Sequence, residues 1–289
     1  MTRRDILTAV PVAFARDGSL DLAGSRAILE YVARSGNEGA FVLGTTGEFP
    51  SLSPDERAVL TELSAEVLTG RMRVVAHVGA ASAYEARKLV GQARAAGIRE
   101  VAAITPYYLP ASDEGLLGYY RELAEAAEGI DLYVYVFRDR TGNPVSNELM
   151  ARLSELPGIV GAKISGEPLA QVDAYRAVVP DGFLLYTGAD RDLARAADHG
   201  AQGVVSGISS VLPKPFRELA AAADAGDADR LAAAQRAVDD VVDVIAGDMG
   251  RMKAAYRLLG VTDSTTRMAI DPPSADVLAQ VARVVEQYR

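Results

Sequence analysis

The chain of 289 residues contains no cysteine. Disulfides, thiolate nucleophiles, iron–sulfur clusters and cysteine-ligated zinc are therefore excluded, while the compartment stays open on that ground. Histidine is nearly absent as well. His77 and His199 alone are too few for the histidine clusters of typical catalytic zinc sites, so no metal is expected. No run of 18 apolar residues is present, which leaves no candidate membrane span. Basic charge is in deficit: 30 Lys and Arg stand against 39 Asp and Glu, a net charge of −9 and a pI near 4.9. Nucleic acid and anionic membranes attract basic surfaces, so neither is an expected partner, and any anion must be bound by local groups. The start, Met1-Thr2-Arg3-Arg4-Asp5, runs into a strand-like segment with no long apolar stretch, and a cytoplasmic location is expected.

What is present is a rhythm. With 49% hydrophobic residues the chain can bury a large core, and its length fits either two ordinary domains or one barrel. Apolar runs of strand length at 6–12, 39–43, 74–77, 101–104, 132–137, 159–163, 183–186 and 203–205 alternate with longer stretches of helical period. The clearest helix start is Ser53-Pro54-Asp55-Glu56, where serine caps, proline fits the first turn and glutamate completes a capping box. Val59, Leu60, Leu63, Val67 and Leu68 then recur at helical spacing. Parallel strands need crossover helices and eight of them can close, so the expected fold is an α/β (β/α)8 TIM barrel, with a two-domain Rossmann arrangement second. The remaining chain reads as helices at 214–225, 228–245, 251–259 and 274–288, with Pro272-Pro273 interrupting before the last. The expected organisation is a catalytic barrel over residues 1–225 and a C-terminal helical extension over 226–289.

Chemistry in such a barrel belongs at the C-terminal ends of the strands. Lys163 closes a short apolar run that ends in Ile164-Ser165-Gly166, which sets a cation at the rim of the sheet. Gly44-Thr45-Thr46-Gly47-Glu48 ends the second strand, Thr105-Pro106-Tyr107-Tyr108 the fourth, and Tyr135 lies within the fifth. The glycines around Thr45 and Thr46 allow a sharp turn that presents N–H groups, a way to bind a carboxylate without a large positive field.

In order and spacing, Gly44-Thr45-Thr46-Gly47-Glu48, Pro106-Tyr107-Tyr108, Tyr135, Arg140-Thr141-Gly142 and Gly161-Ala162-Lys163 resemble the dihydrodipicolinate synthase and N-acetylneuraminate lyase superfamily, over nearly the whole chain. The resemblance implies a class I aldolase on a (β/α)8 barrel that forms a Schiff base with pyruvate or another 2-oxo acid, without cofactor, and joins it to an aldehyde. It also implies a homotetramer built as a dimer of dimers. By the same resemblance Lys163 is the nucleophile, Tyr135 moves protons, and Thr46 links Tyr135 to Tyr108, which reaches across a dimer interface. Thr45, Thr46, Gly47, Arg140 and Val205 are then the substrate-binding residues. The chemistry suits a lysine at an apolar strand end, since an amine is nucleophilic only when neutral and a protonated imine is an electron sink.

The run Tyr135-Val136-Phe137-Arg138-Asp139-Arg140 departs from the pattern, with Arg138 where the family has proline. Ala76-His77-Val78-Gly79 looks more like the sugar-acid aldolases and sialic acid lyases. Asp139 beside Arg140 would compete with an incoming carboxylate. The expected activity is therefore aldol chemistry on a 2-keto-3-deoxy sugar acid or similar hydroxylated compound. Dihydrodipicolinate synthesis is the alternative, and a non-catalytic 2-oxo-acid sensor is more remote.

Overall fold

In the computed structural model, which describes residues 4–289, the strand-length runs pair in chain order and the eighth closes on the first. Met1, Thr2 and Arg3, where the reading of the chain start began, lie outside the described residues. The strands are β1 (Asp5–Ala9), β2 (Gly39–Val42), β3 (Arg73–His77), β4 (Glu100–Ile104), β5 (Asp131–Val136), β6 (Ile159–Ile164), β7 (Leu184–Thr187) and β8 (Gly203–Ser206). All neighbouring pairs are parallel, so the expected (β/α)8 barrel is the observed fold. The first strand stops earlier than its apolar run. Val10 still donates to Phe41 O at 3.0 Å, but Pro11 has no N–H with which to continue the ladder.

Alternation along the strands divides the core in two. Tyr133 and Tyr135 enter the barrel interior with Leu7, Phe41, Val75 and Val205, whereas Leu132, Val134 and Val136 face the helices. In β6, Ala162 and Ile164 belong to the outer layer, and Lys163 between them is inward and only 6% exposed. The N-terminal end of the barrel is closed by Arg73, whose guanidinium contacts Glu100 and the Tyr133 and Tyr186 hydroxyls, the last two at 2.6 Å.

The helix Pro54–Leu68 starts as expected. Ser53 Oγ accepts from Glu56 N–H, and Glu56 Oε2 accepts from Ser53 N–H at 2.8 Å. Leu60, Leu63, Val67 and Leu68 are buried, but Val59 is exposed and does not belong to the apolar face.

The helices Ala228–Ile245, Met249–Leu258 and Ala275–Tyr288 follow the eighth crossover helix, Pro213–Ala225. Helix Met249–Leu258 is joined to the barrel by a buried ion pair, Lys253 Nζ to Glu48 Oε1 at 2.5 Å. Lys253 is 1% exposed and Glu48 fully buried. The other carboxylate oxygen of Glu48 accepts from Arg267 N–H at 2.8 Å and Met268 N–H at 2.7 Å. Lys253 also donates to Thr265 O, and the Phe14 ring lies beneath both Lys253 and Arg267. Burial holds the Lys253 ammonium below its ordinary pKa, against the opposing pull of Glu48. Arg267 binds Glu56 at 2.7 Å, and that contact lowers the Glu56 carboxyl to about 2. The second half of the extension is thus tied to the turn that follows β2.

Removing one member of a buried pair leaves an uncompensated charge, which costs about 3–5 kcal/mol. We expect Lys253→Met to lower unfolding stability by about that amount in a urea titration. A loss below about 1 kcal/mol would mean that the two backbone N–H donors alone carry the Glu48 carboxylate.

Candidate active site

The register sets Tyr135 opposite Lys163 and Lys163 opposite Tyr186, one row across β5, β6 and β7. Above this row, at the C-terminal mouth, lies a cavity of about 710 Å³. Its wall includes Lys163, Tyr135, Thr45, Thr46, Arg140 and Val205, six of the residues expected from the sequence. Two others are elsewhere. Gly47 is not on the wall, and a side chain at that position would come within 3.2 Å of Val10 O. Tyr108 is 92% exposed with φ 82°, and Tyr107 takes its place on the wall.

Lys163 Nζ stands 4.0 Å from the centre of the Tyr135 ring and 4.3 Å from that of Phe41. The Tyr135 hydroxyl is 3.1 Å from the Thr45 hydroxyl. This corrects the expected link through Thr46: Tyr135 meets the first threonine of the pair, while the Thr46 side chain lies against Gly207. The reason is local. Thr45–Gly47 is a single 3-10 turn, and in so tight a turn successive side chains diverge by about a third of a revolution. As its first two residues, Thr45 and Thr46 leave their N–H groups without an acceptor inside the turn.

His77 does not touch the cavity. Its Nδ1 is 3.0 Å from Leu43 O, and its Nε2 accepts from Ile104 N–H at 3.3 Å, which makes Nδ1 the protonated nitrogen. Full burial, then the nearby Arg57 and Lys163 cations, push its pKa far down, so it is neutral. Leu43 has φ 60°, an uncommon backbone for a leucine. His77 thereby holds the bend that leads into Thr45 and Thr46.

Arg140 reaches the wall with its guanidinium 5.6 Å from the Phe137 ring, and among the described residues no carboxylate pairs with it. The competition expected from Asp139 is absent. Asp139 lies 3.9 Å from Arg138, which is also 3.8 Å from Glu167. Residues 138–141 form one helical turn, and within it the Asp139 carboxylate turns back toward Arg138.

Three features were missed in the sequence. The first is Asp190, after β7, which lines the cavity and binds the Ser206 hydroxyl. Its enclosure raises the carboxyl to about 6, against the opposing effect of the Ser206 bond and, more weakly, Lys163. A carboxylate just past the end of a barrel strand was the available signal. The second is Phe41, which reads as ordinary strand core. The third is the roof: Ala246, Met249, Met252, Met268 and Ile270 of the C-terminal extension border the cavity. Among the described residues no group of His, Asp and Glu gathers for a metal ion, and no helix is long and apolar enough to cross a membrane.

A lysine, a tyrosine–threonine pair and a free guanidinium around one barrel mouth suit carbonyl chemistry on a small anion. The family model described as the dihydrodipicolinate synthetase family matches residues 2–288. The chain belongs to that family. Among its curated relatives, the 4-hydroxy-tetrahydrodipicolinate synthase of Thiobacillus denitrificans is 37% identical over 227 residues, covering 78% of this chain and 76% of the relative. The crystal structure of a dihydrodipicolinate synthase from Bacillus anthracis superposes with a TM-score of 0.92 at 25% identity, covering 99% of this chain and 98% of the other. An N-acetylneuraminate lyase from Mycoplasma synoviae shares the fold, with a TM-score of 0.90 at 24% identity over 99% and 98% of the two chains. As a dihydrodipicolinate synthetase family member the protein is a class I carbon–carbon lyase, working through a lysine Schiff base with no external cofactor.

Asp190 generates a test of the cavity's electrostatics. Its folded pKa is raised above the ordinary 3.8, so the neutral carboxyl is the form the fold favours, and stability is lost as pH rises from about 4 through about 6. Asp190→Asn keeps a polar partner for Ser206 without the charge. We expect the variant to gain on the parent across that window, with a larger stability difference at pH 8 than at pH 4 in urea unfolding. A difference independent of pH would show that Asp190 titrates as an ordinary surface carboxylate.

Proposed function

We propose that this enzyme binds pyruvate as a Schiff base on Lys163 and joins it to an aldehyde that carries a carboxylate, the reaction of a 4-hydroxy-tetrahydrodipicolinate synthase. The observation that carries this reading is Arg140, a guanidinium on the cavity wall with no carboxylate partner among the described residues. A guanidinium fork suits bidentate binding of a carboxylate. The relative from Thiobacillus denitrificans bears the name of that activity, which favours it over the sugar-acid aldolase preferred from the sequence. One argument for the sugar acid was that Asp139 would compete with an acceptor carboxylate beside Arg140, and Asp139 lies by Arg138 instead. A hydroxylated acceptor retains one support, the Asp190 carboxyl with its Ser206 partner on the same wall.

In the proposed reaction the neutral amine of Lys163 adds to the keto carbon of pyruvate. The carbonyl π pair moves to oxygen, which takes one proton from the adduct nitrogen and a second from a donor and leaves as water, while the nitrogen lone pair closes the protonated imine. The imine draws electrons from the methyl carbon. A methyl proton goes to a base, its C–H pair becomes the enamine double bond, and the imine π pair returns to nitrogen. The enamine carbon then attacks the aldehyde carbon, whose oxygen takes a proton. Attack on the re-formed imine by water, or by an amine of the acceptor, releases Lys163.

In this reading the Tyr135 hydroxyl, held by Thr45, moves protons in both imine formation and aldehyde capture. The N–H groups of Thr45 and Thr46 hold the pyruvate carboxylate, and Val205 packs against its methyl end. Arg140 takes the acceptor carboxylate. We further propose a homo-oligomer, a tetramer made of two dimers acting in the cytoplasm, in which the exposed Tyr108 approaches the site of a neighbouring subunit. An outward tyrosine on a left-handed backbone has more reason to exist at an interface than in water.

Borohydride with pyruvate is expected to trap an adduct on Lys163, located by intact mass and peptide mapping. An adduct on Lys88, Lys214 or Lys253, or none, would sink the Schiff-base reading. Arg140→Ala should leave that trapping intact and raise KM for aspartate semialdehyde by about 10–100-fold, the scale of one lost charged hydrogen-bonding partner. If steady-state kinetics show an unchanged KM for this aldehyde alongside efficient use of glyceraldehyde, the hydroxylated acceptor is the right one.

A further inference from the structure

The chain's four lysines differ in what holds their charge. Lys88 and Lys214 are exposed, and Lys253 is paired with Glu48. Lys163 is buried at 6% exposure, yet among the described residues no carboxylate lies within ion-pairing distance of it. Asp190, whose charge it does feel, is bound to Ser206 instead. What touches the nitrogen is two aromatic rings, Phe41 at 4.3 Å and Tyr135 at 4.0 Å, meeting nearly edge-on at 80° with centres 5.8 Å apart. Phe41 is itself fixed from behind. A side chain at Gly44 would lie 2.8 Å from its ring, so the glycine that opens the Thr45–Thr46 turn also makes room for it.

A ring face attracts a cation through its quadrupole, more strongly where water is kept away. It does so without a counter-charge. A carboxylate in the same place would favour the ammonium and remove the nucleophile, and would neutralise the imine whose positive charge must draw electrons from the adjacent carbon. Two ring faces support the charge while leaving it unneutralised.

We propose that Phe41 is a positioning residue for the Schiff-base step, its ring face holding the Lys163 nitrogen against Tyr135 and carrying part of the positive charge once the imine has formed. This rests on Lys163 being the Schiff-base lysine. The other groups that face the nitrogen are Asp190 across the cavity, neutral His77 behind the rings, and Arg73 with Tyr133 and Tyr186 below it. None of them changes when only the electron density of the Phe41 ring is changed.

That isolates the test. Phe41 is replaced by 4-fluoro-, 3,5-difluoro- and 3,4,5-trifluorophenylalanine, which keep the shape and drain the ring face, and separately by leucine. Borohydride trapping with pyruvate is followed against pH, and each variant's thermal unfolding is measured. With the ring face weakened, the cation loses support. The pH of half-maximal trapping should fall stepwise with fluorination, by about half to one unit for the trifluoro variant, and apparent pyruvate affinity should weaken about 3–10-fold. Phe41→Leu should move at least as far, with the fluorinated proteins unfolding at the parent's temperature. A fluorination series that matches the parent at every pH overturns the proposal, and if leucine alone loses activity then Phe41 acts by packing. A parent that forms no adduct on Lys163 overturns the Schiff-base reading itself, whereas a parent that forms it with a flat series overturns only the role of Phe41.

Discussion

The buried pair between Glu48 and Lys253 is the constraint on which the site's shape depends. Each charge in isolation would be costly away from water, and their attraction offsets that cost only when the remaining hydrogen-bonding capacity is used. Here it is used: Glu48 takes two backbone N–H groups from residues 267 and 268, and Lys253 reaches Thr265 O. The carboxylate belongs to the turn that carries Thr45 and Thr46, and the lysine to a helix 205 residues further along the chain. Bringing the two together also brings Met268, Met249 and Ile270 over the barrel mouth. The pair contributes specificity more than stability, since few placements of the extension satisfy both charges at once.

Within the cavity the same electrostatics appear in milder form. The protein is acidic as a whole, with a net charge of −9, yet the mouth offers two basic side chains, Lys163 and Arg140, that no carboxylate among the described residues pairs with. Lys163 is supported by ring faces, and Arg140 stays available because Asp139 leaves the helical turn toward Arg138. Asp190, a half-buried acid on the cavity wall, retains its proton more readily than a surface carboxylate. Anions are thus received by local groups inside a field that repels them at long range.

Much of this was legible in the residues, for reasons that differ by element. The β rhythm survived because buried parallel strands are apolar throughout and short, and the Ser53 capping box survived because its two bonds are local. The helix 228–245 appears with the bounds its pattern suggests. Lys163 and Thr45 were readable as strand-end polar residues, whereas Tyr135, inside its strand, stood out only through the family pattern. Val59 was misread because periodicity alone cannot tell which edge of an amphipathic stripe meets the core. The Tyr135 partner was misassigned to Thr46 because the choice between adjacent threonines depends on the rotation of one 3-10 turn. Phe41 was invisible because an aromatic in a β-strand has the same appearance whether it packs against leucine or against an ammonium.

By itself the sequence determined the barrel, the order of its units and the presence of a lysine at the end of the sixth strand, since these follow from period and length. The absence of cysteine likewise settled which chemistries were closed. Only the tertiary structure decided which threonine meets Tyr135, where Asp139 goes, that Asp190 is enclosed, and that Glu48 finds Lys253. Each of these is a contact between segments far apart in the chain or a direction within a single turn, and neither is encoded in spacing along the sequence.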